Sequence, residues 1–519
     1  MMNKKLEVIL VALLYLFTLY LWTLPIQSTP LPFGDVDSTT HFTIGDWMAL
    51  NDKSMFNIPY YMTYVLGEDA QGKLVYPPQF NTAEAIAESF SFGRIIPVFI
   101  FYAVISSLFV LTSYILIRKL YGFWPAYLSS FFLIFSYRDY MTYLWGMWPQ
   151  IASFVLTPVV MYSFYQFVSK ECKKPIYLYL TVILMITQFA FHPQGIVFSA
   201  GFLAIYSLLL IWKQKRFFFP LKTLAFAGIL GVVLLLAFAP FQLRIFANKI
   251  GLTETGSEFH EKAPLSNLLK WYERPQRNVG VPDEYFNFKD VYGYWVLPLL
   301  LLGVGLIIWR RNSPDTLMIA YLITMYLFIH LENIGFPRAH RFLEMEAWLF
   351  APLIVIGLLS VPSIIPESYR RNAKFALIAA FSILTIFLVT VPAYSTLKNA
   401  YPGAMRTTEF HMELADWMRE NLPEDANVMY VGYTAFAKKK WLRSLSHRNI
   451  IYDNPVIPQQ HRAINLTDHV LIDYSEALAW TNGDEEAIKE LQNWEVQNLA
   501  NKTLLYEHPS KLARIYSLR

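Results

Sequence analysis

Residues 4–41 read KKLEVILVALLYLFTLYLWTLPIQSTPLPFGDVDSTTH. Two lysines precede an apolar run of about 19 residues, which is long enough to cross a bilayer as an α-helix. No small-residue cleavage site follows, so we expect a retained first membrane helix rather than a removed signal peptide. Asp35, Asp37 and His41 then follow the point where the chain leaves the membrane. A membrane span followed at once by acids is the pattern that any account of the fold has to explain.

The composition of the whole chain is that of an integral membrane protein. Of its 519 residues, 55% are hydrophobic, 17% aromatic and only 16% charged, whereas soluble domains carry about a quarter charged residues. The apolar residues gather into long runs separated by short charged loops, which is typical of membrane-spanning helices. The net charge is +4, and no basic stripe or finger motif is present, so we expect no nucleic-acid partner.

Lysine and arginine alternate between loops and thereby predict the topology. We predict eleven spans, at residues 6–24, 94–117, 121–137, 150–169, 176–191, 195–212, 222–243, 291–309, 315–332, 342–361 and 374–394. Every second loop is short and basic: RKLYG, KECKKP, KQKR, RRN and YRRNAK. The positive-inside rule then predicts a multi-pass protein of the cell membrane, with a cytoplasmic N-terminus and an extracytoplasmic C-terminus.

Two regions outside the predicted spans have regular structure of their own. Within the external loop 25–93, QFNTAEAIAESFSFG repeats apolar residues at helical spacing with Glu84 and Glu88 on the other side, which predicts a helix lying in the membrane interface. After residue 395, amphipathic and strand-like runs predict a small extracytoplasmic α/β domain over residues 396–519. Residues 1–395 would form the transmembrane domain.

The acidic pair after the first span is the strongest candidate for chemistry. A partly desolvated carboxylate of Asp35 or Asp37 could act as a general base on an acceptor, or position a substrate. Alternatively, Asp35, Asp37 and His41 could hold a divalent cation such as Mg²⁺ or Mn²⁺. Solvated acids just past a helix end are the structural alternative.

A second external constellation lies in LENIGFPRAHRFLEMEAW and includes Arg338, His340 and Arg341. If the chain is helical from Pro337, Arg338 and Arg341 share one face. Two guanidinium groups at the interface suit a lipid-linked phosphate, because arginine offers paired donors and a permanent charge. Alternatively, Arg341 pairs with Glu344 one turn later and holds the helix in place.

Weaker candidates lie in two other predicted external loops. Arg138 and Asp139 lie in SYRDYMTYLWGMWPQ, whose aromatic residues suit either sugar stacking or the interfacial belt. His192 lies in FHPQG, a tight turn between two spans, where a histidine is either structural or substrate-binding. The nucleotide, lipase-type and zinc-protease motifs are absent from the sequence, which argues against an ATP-driven pump.

Taken together, these segments resemble the GT-C superfamily of polytopic glycosyltransferases. GDVD is similar to the catalytic acidic motif of their first external loop. WGMWPQIASFVLTPV, FHPQG and RAHRFLE resemble segments of a largely archaeal branch, often labelled as membrane proteins related to 6-pyruvoyl-tetrahydropterin synthase. The second acidic motif and the W-W-D-type signature of oligosaccharyltransferases are not evident.

This resemblance implies transfer of a sugar from a polyprenyl-phosphate donor, such as a dolichol-phosphate sugar, to a glycan, lipid or protein acceptor on the outer face. Asp35 and Asp37 would be the catalytic residues, and the reaction would invert the anomeric carbon. Substrate-binding residues would be Arg338, His340, Arg341, Arg138, Asp139 and His192. The alternative is a non-catalytic transporter of lipid-linked sugars or an assembly protein, although the sequence shows no internal repeat of the kind that transporters carry.

Overall fold

The computed structural model describes residues 3–34, 36–51, 78–90, 93–240, 243, 292–330, 339–364, 366–400, 406–433, 436–451, 467–477 and 485–519. Helices occupy each predicted span. Up to residue 240 the α-helices are α1 (Lys4–Trp22), α2 (Leu24–Ser28), α3 (Val36–Leu50), α4 (Pro78–Ser89), α5 (Ile96–Ser107), α6 (Phe109–Tyr121), α7 (Phe123–Leu133), α8 (Tyr137–Leu144), α9 (Trp148–Phe154), α10 (Thr157–Ser169), α11 (Ile176–Phe191), α12 (Pro193–Gln214) and α13 (Leu221–Phe238).

From residue 292 onward, the α-helices are α14 (Leu297–Arg310), α15 (Ser313–Ile329), α16 (Glu344–Ser360), α17 (Glu367–Thr385), α18 (Val391–Lys398), α19 (Glu409–Asn421), α20 (Phe436–Ser446) and α21 (Glu486–Leu499). Short 3₁₀ segments cover Tyr294–Val296, Ala339–Leu343 and Val361–Ile364, and a π-helical turn over Ile386–Thr390 joins α17 to α18.

Among the described residues, seven helical segments are long and apolar enough to cross a membrane: Lys4–Trp22, Ile96–Tyr121, Trp148–Ser169, Pro193–Gln214, Leu221–Phe238, Arg341–Ser363 and Glu367–Lys398. Three shorter apolar helices cover Ile176–Phe191, Tyr294–Arg310 and Ser313–Ile329. The chain is therefore a polytopic helical membrane protein, as predicted. The count of eleven spans and the side on which each terminus lies stay predictions.

Capping residues explain where two of these helices begin. At the start of α15, the Asn312 side chain accepts a hydrogen bond from the Asp315 backbone N–H at 2.8 Å, and the Asp315 carboxylate accepts one from the Asn312 N–H. In FHPQG, His192 Nδ1 accepts from the Gln194 N–H at 3.3 Å, and Pro193 occupies the first position of α12. Both arrangements satisfy N–H groups that a helix start leaves without partners.

The chain divides into two compact units. The helical unit comprises Met1–Pro25, Val75–Phe80 and Ile100–Lys398. The mixed unit comprises Ile26–Leu74, Asn81–Phe99 and Asn399–Arg519. Most of the predicted external loop 25–93 therefore groups with the C-terminal residues, although the two are far apart in sequence.

Within the mixed unit, a five-stranded sheet has the order β2–β1–β3–β5–β4. The strands are β1 (Asn427–Gly432), β2 (Asn449–Ile451), β3 (His469–Asp473), β4 (Thr503–Glu507) and β5 (Ala513–Ser517). β1 is parallel to β2 and β3, whereas β5 is antiparallel to β3 and β4. Alternate residues of β1 and β3 pack with α21 in one apolar core, which includes Met429, Ile472 and Leu491. This confirms the predicted α/β fold of the C-terminal residues.

In the helical unit, α14 and α16 approach so closely that glycine is required at their contact. A Cβ atom on Gly303 would lie 2.0 Å from the Leu353 carbonyl oxygen, and one on Gly357 would lie 2.1 Å from the Leu299 carbonyl oxygen. Small residues at such contacts let membrane helices pack backbone to backbone.

Gly303→Ala should therefore destabilise the protein by about 1–3 kcal/mol, because the new methyl group meets a backbone atom that cannot rotate away. Gly305→Ala is the matched control on the same helix, since among the described residues no atom beyond the local helix backbone lies within 4 Å of a Cβ at that position. Thermal unfolding in detergent measures both. Equal melting temperatures for the two variants would contradict the close contact.

Candidate functional site around the acidic motif

The acidic motif begins at a turn that requires glycine. Gly34 has a φ of +116°, a conformation that side-chain-bearing residues rarely adopt. Asp35 lies outside the described residues, and α3 begins at Val36. Asp37 therefore lies in the first turn of α3, where the positive end of the helix dipole favours a carboxylate.

Asp37, His41 and Gly45 are spaced four residues apart and so share one face of α3. His41 is buried. A carboxylate from α4 covers the same face: a Cβ atom on Gly45 would lie 2.5 Å from Cδ of Glu84. Gly45 is thus the residue that lets the Glu84 carboxyl group approach α3. The two titratable side chains at positions 37 and 41 are one helical turn apart, a spacing at which both could contact one ligand.

α4 is the helix that the sequence predicted for the interface, and its acids point inward. Glu84 and Glu88 are buried, whereas Ile86 and Phe90 have 52% and 87% of their surfaces exposed. Asn81, one turn before Glu84, is also buried, and within the described residues its side-chain amide has no hydrogen-bond partner. A buried amide without a partner is a group that a polar ligand could satisfy.

Next to this face, the buried carboxylate of Asp46 joins three segments of the mixed unit. Arg94 donates two hydrogen bonds to it, from Nε at 2.8 Å and from Nη2 at 2.5 Å. His447, after α20, lies 2.6 Å from the same carboxylate through Nε2. Burial opposes ionisation of Asp46, but the hydrogen bonds from Arg94 and His447 outweigh it and hold its pKa below the ordinary value.

The same surroundings shift the pKa of Glu88 in the opposite direction from that of Asp46. Burial, together with the negative charge of Asp46 and a hydrogen bond to it, raises the pKa of Glu88 to about 9. At neutral pH Glu88 is therefore a protonated acid beside an ionised one. This arrangement avoids placing two like charges side by side in a desolvated position.

A second polar cluster lies in the helical unit and joins the three segments of the archaeal-type resemblance. Gln150 donates from Nε2 to Glu344 at 2.6 Å and accepts at Oε1 from Arg341 Nη1 at 3.2 Å. Ser153 Oγ donates to the His192 carbonyl oxygen at 2.9 Å. WGMWPQIASF, FHPQG and RAHRFLE therefore meet in space.

The remaining candidates of the helical unit are buried in polar contacts of their own or cap a helix. Arg138 and Glu346 form a fully buried ion pair, and Asp139 accepts a hydrogen bond from Trp348 Nε1 at 2.9 Å. His192 caps α12. The cap made by His192 matches the structural alternative weighed for that residue. A role of Arg138, Asp139 or His192 in substrate binding stays a prediction. Arg338 lies outside the described residues, as does the side chain of His340.

Sequence reasoning missed Asp46, Arg94, His447 and Glu84 as members of the site. Two signals could have found some of them: buried-face acids repeat every four residues in α4, and an arginine stands at the start of a predicted span. Over the described ranges, no group of three or more His, Cys, Asp or Glu side chains is arranged to hold a metal ion. The predicted Mg²⁺ or Mn²⁺ site includes Asp35, which lies outside those ranges, and stays a prediction.

A family model described as "Family of unknown function (DUF6541)" matches residues 5–434. The chain belongs to this family. A search of curated proteins found no significant match to this DUF6541 member.

Solved structures show which fold this DUF6541 chain has. The arabinofuranosyltransferase AftD from Mycobacteria matches with a TM-score of 0.60 at 11% identity, covering 99% of this chain but 40% of AftD. ArnT from Cupriavidus metallidurans in the apo state matches with a TM-score of 0.56 at 11% identity, covering 98% of this chain and 97% of ArnT. The apo oligosaccharyltransferase of Archaeoglobus fulgidus matches with a TM-score of 0.56 at 12% identity, covering 92% of this chain and 70% of that enzyme.

These likenesses confirm the GT-C-like fold predicted from the sequence. At such low identity they show the fold alone. The label related to 6-pyruvoyl-tetrahydropterin synthase appears in none of these comparisons and stays a prediction.

The protonated state of Glu88 can be tested by Glu88→Gln. The raised pKa means that the folded state keeps a proton that the unfolded state releases above about 4.5. Stability from this group is fully present at low pH and is lost as the pH rises from about 4.5 toward 9. Because glutamine mimics the protonated acid, the variant should melt like the wild type near pH 5 and several degrees higher near pH 8.

Exposed Glu424→Gln is the control for this measurement and should leave the pH profile of the melting temperature unchanged. Parallel pH profiles for wild type and Glu88→Gln would mean that Glu88 is ionised in the folded protein.

Proposed function

We propose that this chain is a GT-C glycosyltransferase that moves one sugar from a polyprenyl-phosphate donor to an acceptor hydroxyl on the extracytoplasmic face. The observation that carries the proposal is the acidic motif GDVD at residues 34–37, with Asp37 in the first turn of α3, in a chain that shares its fold with ArnT over nearly the whole length of both. Other structures of two matched proteins hold lipid phosphates: ArnT with undecaprenyl phosphate and AglB from Archaeoglobus fulgidus with dolichol-phosphate.

In the proposed reaction, Asp37 or Asp35 takes the proton of the acceptor hydroxyl as its oxygen attacks the anomeric carbon. A new glycosidic C–O bond forms while the bond from that carbon to the phosphate oxygen breaks. Polyprenyl phosphate leaves with the electron pair and is already an anion, so it needs charge stabilisation rather than a proton. Direct displacement inverts the anomeric carbon.

A divalent cation on Asp35, Asp37 and His41 is the other proposed role of the motif. The carboxylate oxygens of this donor set suit a hard divalent cation. Positions 37 and 41 share a face of α3, so their side chains could contact the same ion. When bound, such an ion would stabilise the negative charge of the phosphate. Loss of transfer in EDTA and recovery with Mg²⁺ or Mn²⁺ would support this role.

Asp37→Asn and Asp35→Asn test the base. The measurement is transfer from a panel of radiolabelled polyprenyl-phosphate hexoses and pentoses by purified protein in lipid. We expect at least one of the two variants to lose about 10²–10⁴-fold in kcat, the range that general-base catalysis supplies. Exposed Asp425→Asn is the matched control.

Wild type that binds the lipid-linked sugars but transfers none of them would favour the transporter or assembly alternative. Full activity in both Asp35→Asn and Asp37→Asn would refute the role of the motif as base.

For the phosphate we propose Arg341, because the planar guanidinium group of arginine offers paired donors to a phosphate. Arg341→Ala should raise the KM for the donor about tenfold or more, since a hydrogen bond to a charged group contributes about 1.5–3 kcal/mol. Arg370→Ala removes an exposed arginine at the start of α17 and serves as control. An unchanged donor KM in Arg341→Ala would exclude Arg341 as the phosphate ligand.

A further inference from the structure

The backbone immediately before the acidic motif is held by residues from the C-terminal part of the chain. The Thr407 N–H donates to the Pro32 carbonyl oxygen at 3.2 Å, and Phe33 forms an antiparallel bridge with Arg406. One residue later, the indole Nε1–H of Trp441 donates to the Gly34 carbonyl oxygen at 3.0 Å. The Pro32 and Gly34 carbonyl groups, two residues apart and both before α3, are thus bound by partners 375 and 407 positions away in sequence.

Trp441 itself has no freedom to move. It is fully buried, and its ring lies 5.5 Å from the Phe42 ring and 6.2 Å from the Phe99 ring, measured between centroids. Phe33 and Phe99 complete this aromatic cluster at 4.7 Å. The apolar body of the indole is locked by packing, so its single N–H points at one acceptor.

Further hydrogen bonds tie α20 to α3 at intervals of about one helical turn. Ser444 Oγ donates to the Thr39 carbonyl oxygen at 3.1 Å, and Thr43 Oγ1 donates to the Ser444 carbonyl oxygen at 3.2 Å. His447 then reaches Asp46 at 2.6 Å. α20 therefore lies alongside the segment from Gly34 to Asp46, which includes α3. These polar contacts fix the position of α20 along α3.

We propose that α20 positions the acidic motif for sugar transfer and that Trp441 is its principal positioning residue. This inference rests on the proposed function for its catalytic part. Gly34 has no side chain that packing could hold, so the backbone at this position, shortly before α3, is held by hydrogen bonds. Trp441 does not touch the reacting atoms in this proposal; it acts through the Gly34 carbonyl group.

The Gly34 carbonyl oxygen is a buried acceptor. Removing the indole N–H leaves the buried Gly34 carbonyl group without this donor, and a buried acceptor without a donor is unfavourable. The turn can relieve that cost by rotating toward another donor, which would move the carboxylates that follow. A displacement of about 1 Å in a catalytic group can cost about 10²-fold in rate.

The test compares Trp441→Phe with Trp417→Phe. Trp417 lies on the neighbouring α19 and stacks on Tyr506 at 4.4 Å, so its replacement changes an indole in the same unit away from α3. We expect Trp441→Phe to lower kcat about tenfold or more at an unchanged donor KM, while Trp417→Phe keeps wild-type kinetics. We also expect faster hydrogen exchange of the backbone amides of residues 36–41 in Trp441→Phe alone.

Replacing the Trp441 side chain with benzothienylalanine separates the hydrogen bond from the packing, because this analogue keeps the shape of tryptophan and lacks the N–H. A lower kcat with a wild-type melting temperature supports the positioning role. Wild-type kcat and wild-type exchange in the analogue overturn it, as does a loss of kcat in Trp441→Phe that the analogue fully restores. If the wild type transfers no sugar, the proposed function fails, and hydrogen exchange alone decides whether Trp441 orders the motif.

Discussion

The ion pair between Asp46 and Arg94 is the interaction on which the mixed unit depends. It lies where little water remains to replace either partner, so loss of one side chain would leave the other charge uncompensated. His447 and the protonated Glu88 complete the same group. Through this one carboxylate, α3, α4, the segment before α5 and the end of α20 are held in a single arrangement.

The same constraint explains the inward-facing acids of α4. In this amphipathic helix, located in a loop between membrane spans, the apolar Ile86 is exposed, as is Phe90 directly after the helix. Glu84 and Glu88 then have to face protein, which is tolerable only if one is protonated or both are close to polar groups. Glycine at position 45 gives Glu84 that room. Burial of acids is thus a consequence of how the loop meets its surroundings.

Sequence patterns predicted the membrane-spanning helices well, because such helices are recognisable from their length and their apolar composition. They also predicted β1, β3, β4 and β5 from apolar alternation. They missed β2, which has three residues, and α20, whose AKKKWLRSLSH reads as a charged loop. Trp441, Leu442 and Leu445 are nevertheless all fully buried, and their spacing is helical. The site partners could not be paired from sequence, because Asp46 is 48 residues from Arg94 and 401 from His447.

The dependence of the acidic motif on α20 follows from the chemistry of its turn. A glycine at positive φ gives the chain the bend that it needs, but it also leaves a flexible point directly before the carboxylates. Rigid placement must then come from backbone hydrogen bonds, and a donor from a packed helix is better ordered than one from a loop. Tryptophan suits this task because a large apolar ring carries one directional N–H. The family match ends at residue 434, before α20 begins. Trp441, the residue proposed to order the motif, therefore lies outside the residues that the family model matches. The fold brings Trp441 to the acidic motif.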